Sequence, residues 1–355
     1  MKKGVRRVIR FVGSLSDGAI VGLFLAGYLA RYVPPETLWW LQLIAIGLPI
    51  LSVLVMGASV VVALRRRWLS FGFHLILVLL VAIRFGVPHT AQPSADAATL
   101  TVMSFNTAWG LSRPTRAMGP IVAREQPDIV ALQETSLGFS KTKPFVRPVP
   151  YYASLFDSLH YQTRVPDGHS AHVSKPVLSR IPFDLLTEKS LPEGEEDNND
   201  YVRVAFRWQG RLAVLYNVHL RTFGGQKPWE DKKIQVFSLD YWAHYLRQFR
   251  EAILARAGEA RIIRRRVWRE TAPVILCGDF NSTPHNWVYR YLLDGLTDAF
   301  EAAGSGWGGT YHARSPLVRI DYVFVGPAWE VQSAHVPDAR ASDHRPVVAK
   351  LHWRP

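Results

Sequence analysis

The amino-acid sequence predicts a sandwich of the α/β or α+β class, with sheet layers inside and helices outside, preceded by a set of apolar N-terminal helices. Three observations lead to this prediction. The segment 1–90 contains long runs without a charged residue. Beyond residue 98, short apolar runs alternate with turn-forming residues and a few longer amphipathic stretches, which is typical of sheets covered by helices. Polar side chains stand at the ends of several predicted strands, where a buried strand does not need them.

The composition is that of a folded protein. The chain has 355 residues, 48% of them hydrophobic, and a net charge of +13, which excludes disordered and fibrous classes. Ten of its 42 Lys and Arg residues, but only two of its 29 acidic residues, lie in 1–95. Because the basic excess is concentrated there, the net charge argues only weakly for nucleic-acid binding. Cys277 is the only cysteine, so an intrachain disulfide is impossible and the redox compartment is left open.

Three N-terminal segments are predicted to span a membrane. They are 18–33, 38–64 and 68–88. The second is a run of 27 residues without a charge, and about 20 apolar residues suffice to cross a bilayer as a helix. The first is the shortest, and Asp17 and Arg31 stand near its ends. The alternative, buried helices of a soluble protein, fits the second segment poorly because of its length.

The basic residues predict how these segments are oriented. Lys and Arg precede the first segment, and an Arg run at 65–67 stands between the second and the third. Loops rich in Lys and Arg stay in the cytoplasm. Three spans in the cell membrane would therefore place the domain at 99–355 on the extracytoplasmic side, beyond a linker at 91–98. The orientation stays open if segment 18–33 only lies on the membrane surface.

The predicted elements of the domain at 99–355 alternate between strands and helices. Strands are predicted at 100–109, 128–135, 172–183, 201–220, 274–279, 319–326 and 342–353, and 201–220 is predicted to form a hairpin with a Gln-Gly turn. Helices are predicted at 115–126, 229–270 and 285–294. The acidic segment 192–200 is predicted to be a solvated loop.

Five predicted strand ends carry polar side chains that suit a metal and a phosphate. These residues are Asn106, Glu134, His219, the pair Asp279 and Asn281, and the pair Asp343 and His344. Taken singly, such a residue is most often a cap or a satisfied hydrogen-bonding group. Together they offer carboxylate and amide oxygens, which suit Mg²⁺ or Mn²⁺ better than a thiolate zinc site. Histidine and aspartate can also supply a base for water and a clamp for a phosphoryl oxygen.

The pair in "GDFN" has a simple geometric reading. Asp279 and Asn281 are two residues apart, and alternate residues of an extended chain face the same side. Both side chains can then address one phosphate. Phe280 between them is predicted to face the opposite side and to pack in the core.

Six motifs in order resemble the endonuclease/exonuclease/phosphatase (DNase I-like) superfamily. They are "MSFNTAW", "DIVALQET", "VHL", "GDFNSTP", "RIDYVFV" and "SDHRPV", and together they cover about 100–352. The superfamily includes DNase I-like nucleases, inositol polyphosphate 5-phosphatases and neutral sphingomyelinases. The N-terminal spans make the chain similar to a bacterial membrane-anchored subgroup. The resemblance implies a four-layer α/β/β/α sandwich, with the site where the strand-end loops of the two sheets meet.

The resemblance also implies a role for each polar strand-end residue. Glu134 is implied as the principal metal ligand, with Asn106 beside it, and Asp343 supports the metal or His344. The residues implied to be catalytic are His219, Asp279, Asn281, Asp321 and His344. Among these, Asn281 holds a phosphoryl oxygen, His219 contacts the phosphate, and Asp321 orients His344. Either Asp279 or His344 takes the proton from the attacking water, and that choice stays open.

Two further residues are predicted to bind substrate. Arg203, on a predicted strand, could point to the phosphate, although a charge on the strand face is an equal alternative. Tyr311 lies in a glycine-rich segment, 303–322, that resembles the loop bordering the substrate in many relatives. A glycine-rich segment that only turns the chain is the equal alternative.

The sequence therefore predicts a membrane-anchored, Mg²⁺- or Mn²⁺-dependent hydrolase in which water attacks a phosphate ester in line. Tethering to a membrane favours a lipid-linked phosphate, either a phospholipid or sphingolipid phosphodiester or a polyprenyl pyrophosphate. A surface-tethered nuclease is the first alternative, with nucleic acid as the partner. A catalytically inactive, membrane-anchored binding module is the second. No protein partner can be inferred.

Overall fold

A computed structural model of the protein describes most of the chain. The described residues are 2–85, 98–108, 118–135, 137–138, 159–163, 172–173, 175–191, 200–223 and 237–354. The chain divides into two compact units, one made of Met1–Val87 with His285–Arg290 and the other of Pro88–Pro284 with Tyr291–Pro355. Residues 91–97 of the predicted linker lie outside the described residues.

The N-terminal unit is helical. Its helices are α1 (Lys2–Leu29), α2 (Pro35–Leu38), α3 (Trp40–Ile46), α4 (Leu48–Leu64) and α5 (Trp68–Phe85), with a 3₁₀ turn at Ala30–Tyr32 between α1 and α2. Phe24, Leu48, Val55 and Leu77 form an apolar core among α1, α4 and α5. This unit therefore has a packed interior of its own.

One described helix, α5, is long and apolar enough to cross a membrane, by length and composition. The pair α3 and α4 would be a second only if the two count as one span, because they meet at a bend of 67°. The predicted segment 38–64 is thus two helices and not one. The cause is local: Gly47 caps α3 and α4 begins at Leu48 with Pro49, whose ring fixes φ and removes an N–H that a continuous helix would use.

The three-span prediction is not confirmed by these helices. Segment 18–33 is divided between the end of α1 and the 3₁₀ turn, and α1 is not among the helices that meet the length and hydropathy requirement over the described residues. Pro34 follows and is the N-cap residue of the next helix, α2. Of the segment 68–88, the helix covers Trp68–Phe85.

Gln42, a buried residue of α3, binds the segment 285–290, which belongs to this unit although it lies far along the sequence. Gln42 is 1% exposed, and its Nε2 donates to the carbonyl of Ala30 at 2.9 Å. Its Oε1 accepts from the backbone N–H of Trp287 at 2.9 Å and from Asn286 Nδ2 at 3.3 Å, while its own carbonyl accepts from the same Nδ2 at 2.9 Å. Every polar atom of this buried amide is therefore used within the N-terminal unit.

The larger unit is built on two mixed sheets. Its strands are β1 (Leu100–Asn106), β2 (Ile129–Gln133), β3 (Leu137–Gly138), β4 (His172–Val173), β5 (Val177–Ser179), β6 (Phe183–Ser190), β7 (Asp200–Trp208), β8 (Arg211–His219), β9 (Val274–Asp279), β10 (Thr297–Asp298), β11 (Asp321–Val325), β12 (Trp329–His335) and β13 (Val347–Trp353). The first sheet has the order β12-β13-β1-β2-β5 and the second β10-β11-β9-β8-β7-β6, and β3 pairs with β4. Within the sheets, β1 and β2 are parallel, as are β8 and β9.

The core of this unit lies between the two sheets. Val102 and Ile129 from the first sheet join Leu215, Cys277 and Val323 from the second in one buried cluster. The described helices beyond the N-terminal segment are α6 (Met118–Glu125), α7 (Leu239–Trp268), α8 (Trp287–Leu293), whose first four residues belong to the N-terminal unit, and α9 (Ala299–Ala303). Mixed sheets with helices agree with the predicted α+β class. Residues 229–236, which were predicted to begin the long helix, lie outside the described residues.

Candidate active site

Strand register brings three of the predicted site residues side by side. In the second sheet, His219 at the end of β8 is paired with Asp279 at the end of β9, and Asp279 is paired with Asp321 at the start of β11. Directly opposed residues on neighbouring strands face the same side of a sheet. The imidazole and the two carboxylates are therefore adjacent because of backbone pairing alone.

One carboxylate oxygen of Asp279 is the centre of the cluster. Its Oδ2 accepts a hydrogen bond from Asn106 Nδ2 at 2.8 Å, which reaches it from the first sheet. The Nε2 atoms of His219 and His344 lie 3.6 and 3.8 Å from the same oxygen. The other oxygen, Oδ1, accepts from the backbone N–H of Asn281 at 2.8 Å. Asp279 is 1% exposed, so all of these contacts lie in a dry environment.

Glu134 enters the cluster through an unusual backbone conformation. It directly follows β2 and has a φ of 47°, as does Asn281 after β9. This left-handed region costs a non-glycine residue about 1–3 kcal/mol, and such strain concentrates at functional sites. Glu134 Oε1 accepts from Asn106 Nδ2 at 3.2 Å and lies 3.6 Å from His219 Nε2. The strained turn thus delivers the carboxylate to the cluster.

The glycine of "GDFN" is required by the close approach of β8. Gly278 has a φ of 140°, and a Cβ added there would lie 1.8 Å from the carbonyl oxygen of Val218. No side chain fits at that distance. Gly278 therefore lets β9 lie against β8 so that Asp279 and His219 end in register.

The second histidine is held by a carboxylate on its far side. His344 Nδ1 lies 2.9 Å from Asp321 Oδ2, and Asp321 is fully buried. The ring of Tyr311 packs against the ring of His344, with centroids 4.9 Å apart. The carboxylate and the aromatic ring together fix the plane of the imidazole and direct Nε2 toward Asp279.

The two histidines have opposite electrostatics. The pKa of His219 is lowered to about 4. Burial is the main cause, the cations of Lys175 and Arg256 act in the same direction, and the charge of Asp279 opposes them. Burial also disfavours the charged form of His344, but Asp321 and Asp279 outweigh it and raise its pKa to about 10. His219 is therefore a neutral imidazole near pH 7, and His344 is an imidazolium.

The carboxyl groups of the cluster resist ionisation. Burial raises the pKa of Glu134, opposed by the hydrogen bond from Asn106, and the charges of Asp279 and Asp343 raise it as well. Burial followed by the charge of Asp321 raises the pKa of Asp279. Crowded acids of this kind are stabilised in their charged form by a cation among them.

The donor atoms can accept such a cation. Two groups have ligand atoms within 4.8 Å of one another, Glu134 with His219 and Asp279, and Asp279 with Asp321 and His344. The second is already joined by the hydrogen bond between Asp321 and His344. In the first, His219 Nε2 is buried and has no hydrogen-bond partner among the described residues. A neutral nitrogen between two carboxylates fits a divalent metal ion, so the first group is the better site.

Comparison with known proteins identifies the family of the larger unit. Residues 103–344 match the Endonuclease/Exonuclease/phosphatase family, a stretch that contains every residue of the cluster. The chain belongs to this family. Residues 9–85 match a domain of unknown function (DUF8431). A search of curated proteins finds no match.

Solved structures of the family share the fold at low sequence identity. A family protein from Bacteroides thetaiotaomicron is 18% identical over 73% of this chain and 99% of its own, with a TM-score of 0.51. The mannosyl-6-phosphatase of the same species is 19% identical over 72% of this chain and 100% of its own, with a TM-score of 0.52. A family protein from Bacteroides vulgatus is 18% identical over 72% and 100%, also with a TM-score of 0.52.

The two other predicted ligands, Asn106 and Asp343, have hydrogen bonds of their own in the structure. Asn106 donates its amide N–H groups to Glu134 and Asp279, while its Oδ1 accepts from the backbone N–H of Ala108 at 3.0 Å. Its amide therefore orients the two carboxylates. Asp343 is in neither group of clustered donors, and its Oδ1 accepts from Ser342 Oγ at 3.3 Å.

The two predicted substrate residues are placed differently from each other. Tyr311 lies at the cluster, against His344. Arg203 forms a bidentate ion pair with Glu270, at 2.7 and 2.9 Å, and Tyr216 donates to the same carboxylate at 2.6 Å. Since Glu270 precedes β9 and Asp279 ends it, this arginine serves the opposite end of the strand and is not brought to the cluster.

A buried polar layer below the cluster was missed by the sequence prediction. Gln133 and Asn217, one and two residues before Glu134 and His219, are fully buried between the sheets. Gln133 Nε2 donates to Asn217 Oδ1 at 2.6 Å, and Asn217 Nδ2 donates to the carbonyl of Leu132 at 2.9 Å. The layer joins β2 to β8 directly beneath the site. Its signal in the sequence is an amide within an otherwise apolar strand.

Proposed function

We propose that the chain is a membrane-anchored, divalent-metal-dependent hydrolase of phosphoric esters. The single observation that carries the proposal is the arrangement around Asp279: a neutral imidazole on one side and an imidazolium on the other, each within 4 Å of one carboxylate oxygen. A bare structural cluster does not need histidines of opposite charge. A metal-assisted reaction that develops negative charge on phosphate oxygens does, because the neutral imidazole can bind the metal ion and the imidazolium can donate a hydrogen bond to a phosphoryl oxygen.

Each residue of the cluster has a role in this proposal. Asp279 orients the attacking water and takes its proton as the oxygen bonds to phosphorus and the bond to the leaving oxygen breaks. His344, charged and held by Asp321, donates a hydrogen bond from Nε2 to a phosphoryl oxygen. Asn281 holds a second phosphoryl oxygen. Positioned proton transfer of this kind contributes about 10²- to 10⁴-fold to a rate.

Glu134, Asp279 and His219 are the residues proposed to hold the metal, and Asn106 orients the first two. When bound, Mg²⁺ or Mn²⁺ would polarise the phosphoryl group and offset its charge. The raised pKa values of Glu134 and Asp279 support a cation there, because both carboxylates must be charged for the reaction. Asp343 is proposed to support His344 and not the metal.

The proposed substrate is a lipid-linked phosphate, either a phospholipid or sphingolipid phosphodiester or a polyprenyl pyrophosphate. Helix α5 supports an anchor in the membrane, and a tether keeps the site within reach of headgroups. The proposed arrangement is multi-pass with the catalytic unit on the extracytoplasmic side, and it rests on the basic residues before segment 18–33 and at 65–67.

The nuclease alternative and the inactive-module alternative are tested by the same assay. Purified full-length protein in detergent is given bis-p-nitrophenyl phosphate, sphingomyelin, undecaprenyl pyrophosphate and plasmid DNA, each with Mg²⁺, with Mn²⁺ and with EDTA. We expect metal-dependent hydrolysis of a lipid-linked substrate and its loss in Asp279→Ala. Hydrolysis of DNA alone would overturn the lipid proposal. No metal-dependent hydrolysis of any substrate would overturn the hydrolase.

Topology needs a separate measurement. A fluorescent-protein fusion after Pro355 is expected to stay dark in a bacterial host, because that fluorophore does not mature when exported unfolded, and an alkaline-phosphatase fusion at the same place is expected to be active. The reverse result would place the catalytic unit in the cytoplasm and remove the extracytoplasmic substrates from consideration.

A further inference from the structure

A buried arginine and a buried glutamate on α7 contact the chain directly after His219. Arg256 is 3% exposed and Glu259 is 2% exposed. Arg256 Nε donates to the carbonyl of Arg221 at 2.6 Å, and Glu259 Oε2 accepts from the backbone N–H of Arg221 at 2.7 Å. The two side chains thus bind the donor and the acceptor of a single residue of the main chain, two positions beyond a histidine of the cluster.

Arg256 of this pair also contacts the segment that follows Asn281. Arg256 Nη1 donates to Ser282 Oγ at 3.4 Å. On the other side, Asn281 Nδ2 donates to the carbonyl of Leu220 at 2.9 Å. The turn at Leu220 and Arg221 is therefore held between the side chain of Asn281 and the charged pair of α7.

These contacts lie beyond the last paired residues of β8 and β9. The pairing of β8 with β9 ends at His219 and Asp279. Beyond it, the backbone hydrogen bond from Leu220 to the carbonyl of Asp279, at 2.9 Å, is the last between the two segments. Asn281 is also in a left-handed conformation, which persists only where its surroundings over-determine it. Asn281 is held by its N–H bond to Asp279 and its side-chain bond to Leu220, and Arg256 of α7 adds a contact with the next residue, Ser282.

Two buried charges are a costly way to hold a turn. Taking a guanidinium and a carboxylate out of water costs several kcal/mol per ion, and well-packed apolar residues often give equal or greater stability. Burial lowers the pKa of Arg256, and the carboxylates of Glu259 and Asp279 oppose this by favouring the charged guanidinium. An apolar pair could stabilise the fold equally well. A charged pair can in addition fix the position of the turn, because it binds the backbone of Arg221.

We propose that Arg256 and Glu259 are positioning residues, which set His219 and Asn281 in place by holding the main chain at Arg221 and, from Arg256, the hydroxyl group of Ser282. The proposal rests on the hydrolase function proposed above. It assigns no contact with substrate to either residue, so their removal should lower kcat and leave KM nearly unchanged. A misplacement of about 1 Å in a catalytic group can lower the rate about 100-fold.

The test compares single and double variants of the full-length protein in detergent. Glu259→Gln removes the carboxylate that favours the charged form of the buried Arg256, and Arg256→Gln leaves the buried Glu259 with only the more exposed Arg221 side chain, 3.7 Å away, as a described cation, so both are expected to unfold at a lower temperature and to lose kcat about 100-fold. The double variant removes both buried charges, and only the half-exposed Arg221 loses an ion-pair partner, so its unfolding temperature should return toward that of the wild type. Its kcat should stay low, because the contact with the carbonyl of Arg221 is still missing. A kcat that recovers together with stability would overturn the proposal.

Glu270→Gln is the matched control. It removes the carboxylate partner of a half-buried arginine, Arg203, at the far end of the same sheet. We expect it to lower the unfolding temperature and to leave kcat unchanged. Equal losses of kcat in Glu270→Gln and Glu259→Gln would mean that the effect is general destabilisation, and the positioning role would be wrong.

Amide hydrogen exchange separates failure of this proposal from failure of the hydrolase function. The N–H groups of Arg221 and Asn281 should exchange faster in the double variant than in the wild type, whether or not a substrate is found. Unchanged exchange at both amides would overturn the positioning role even in an active enzyme. A wild-type protein that is inactive on all substrates, with faster exchange in the variant, would overturn the hydrolase and retain the structural constraint.

Discussion

The two histidines beside Asp279 are chemically the same and electrostatically opposite. Both Nε2 atoms lie within 4 Å of the same carboxylate oxygen. His344 has a second carboxylate, Asp321, on its Nδ1, and its pKa rises to about 10. His219 is buried near the cations of Lys175 and Arg256, and its pKa falls to about 4. One half of the site is therefore built around a neutral nitrogen and the other around a cation.

The difference shows that residue type does not set the role of a histidine. The second partner of each ring decides whether burial or a nearby charge dominates its pKa. A metal needs the unprotonated nitrogen, and a phosphoryl oxygen needs the protonated one. By placing one of each beside Asp279, the fold offers both at a single pH.

Removing the shared carboxylate should have the largest effect, because it breaks both halves at once. In Asp279→Asn we expect kcat for bis-p-nitrophenyl phosphate to fall about 10²- to 10⁴-fold, the range that a positioned general base supplies. The thermal unfolding profile serves as the control for folding. A variant with a wild-type profile and a kcat within tenfold of the wild type would contradict the role proposed for Asp279.

Breaking only the half that contains His219 should affect metal binding. In Glu134→Gln we expect the dissociation constant for Mn²⁺ to rise by at least about 10- to 100-fold, since loss of even an outer-shell partner costs that much. Titration followed by electron paramagnetic resonance measures it. Asp343→Asn is the matched control, because Asp343 is in neither donor group, and it should bind Mn²⁺ as the wild type does. If the two variants exchange these results, Asp343 is the ligand.

The charge states of the two rings can be read directly in the metal-free protein. With ¹⁵N-labelled histidine, His219 should remain neutral until about pH 4, and His344 should stay protonated until about pH 10. Asp321→Asn should lower the pKa of His344, and the pKa of His219 should then rise, because the charge of His344 is one of the causes that lower it. Two rings that titrate together near 6.5 would remove the distinction between the halves.

The same pKa values set the pH dependence of stability. The pKa of folded His344 lies above its ordinary value of 6.5, so its contribution is complete below that pH and is lost as the pH rises toward 10. The pKa of folded His219 lies below 6.5, so its contribution is complete above that pH and is lost as the pH falls toward 4. His344→Gln should flatten the alkaline limb of the metal-free stability profile, and His219→Gln the acidic limb.

The smallest effect on catalysis is expected at the opposite end of the strands. Glu270→Gln should lower the free energy of unfolding by about 1–3 kcal/mol, the usual cost of losing charged hydrogen bonds, with no change in kcat. Burial opposes ionisation of Glu270, but the hydrogen bonds from Arg203 and Tyr216 outweigh it and lower its pKa. Its contribution is therefore present above the unfolded pKa and lost as the pH falls through the folded one. Chemical denaturation at pH 7 and pH 3 measures both.

The strand-end residues could be predicted from sequence because local pattern is enough for them. An apolar run followed by Asp279 and Asn281, or by Glu134, states where a strand stops and which side chains emerge. The break at Gly47 has a local signal of the same kind, because Pro49 follows it within the uncharged run 38–64. Local signals of this kind do not require knowledge of the partner strand.

Other features depend on partners that no local pattern specifies. The opposition of His219, Asp279 and Asp321 follows from register between strands that are far apart in sequence. The opposite pKa values of the two histidines follow from burial and from neighbours on other elements. Arg256 and Glu259 stand in a helix rich in charged residues, where a buried pair cannot be told from a solvated face.

The hydrogen bonds of Asn286 and Trp287 to Gln42 bear on where the chain can be divided. The stretch 285–290 lies inside the region that matches the catalytic family, yet its polar groups find their partners in the N-terminal unit. A chain that begins at residue 99 would lack the acceptors for the Asn286 amide and the Trp287 N–H. A chain that joined the catalytic region to another anchor would lose the same acceptors on Gln42, so residues 285–290 belong with the N-terminal helices and not with the rest of the matched region.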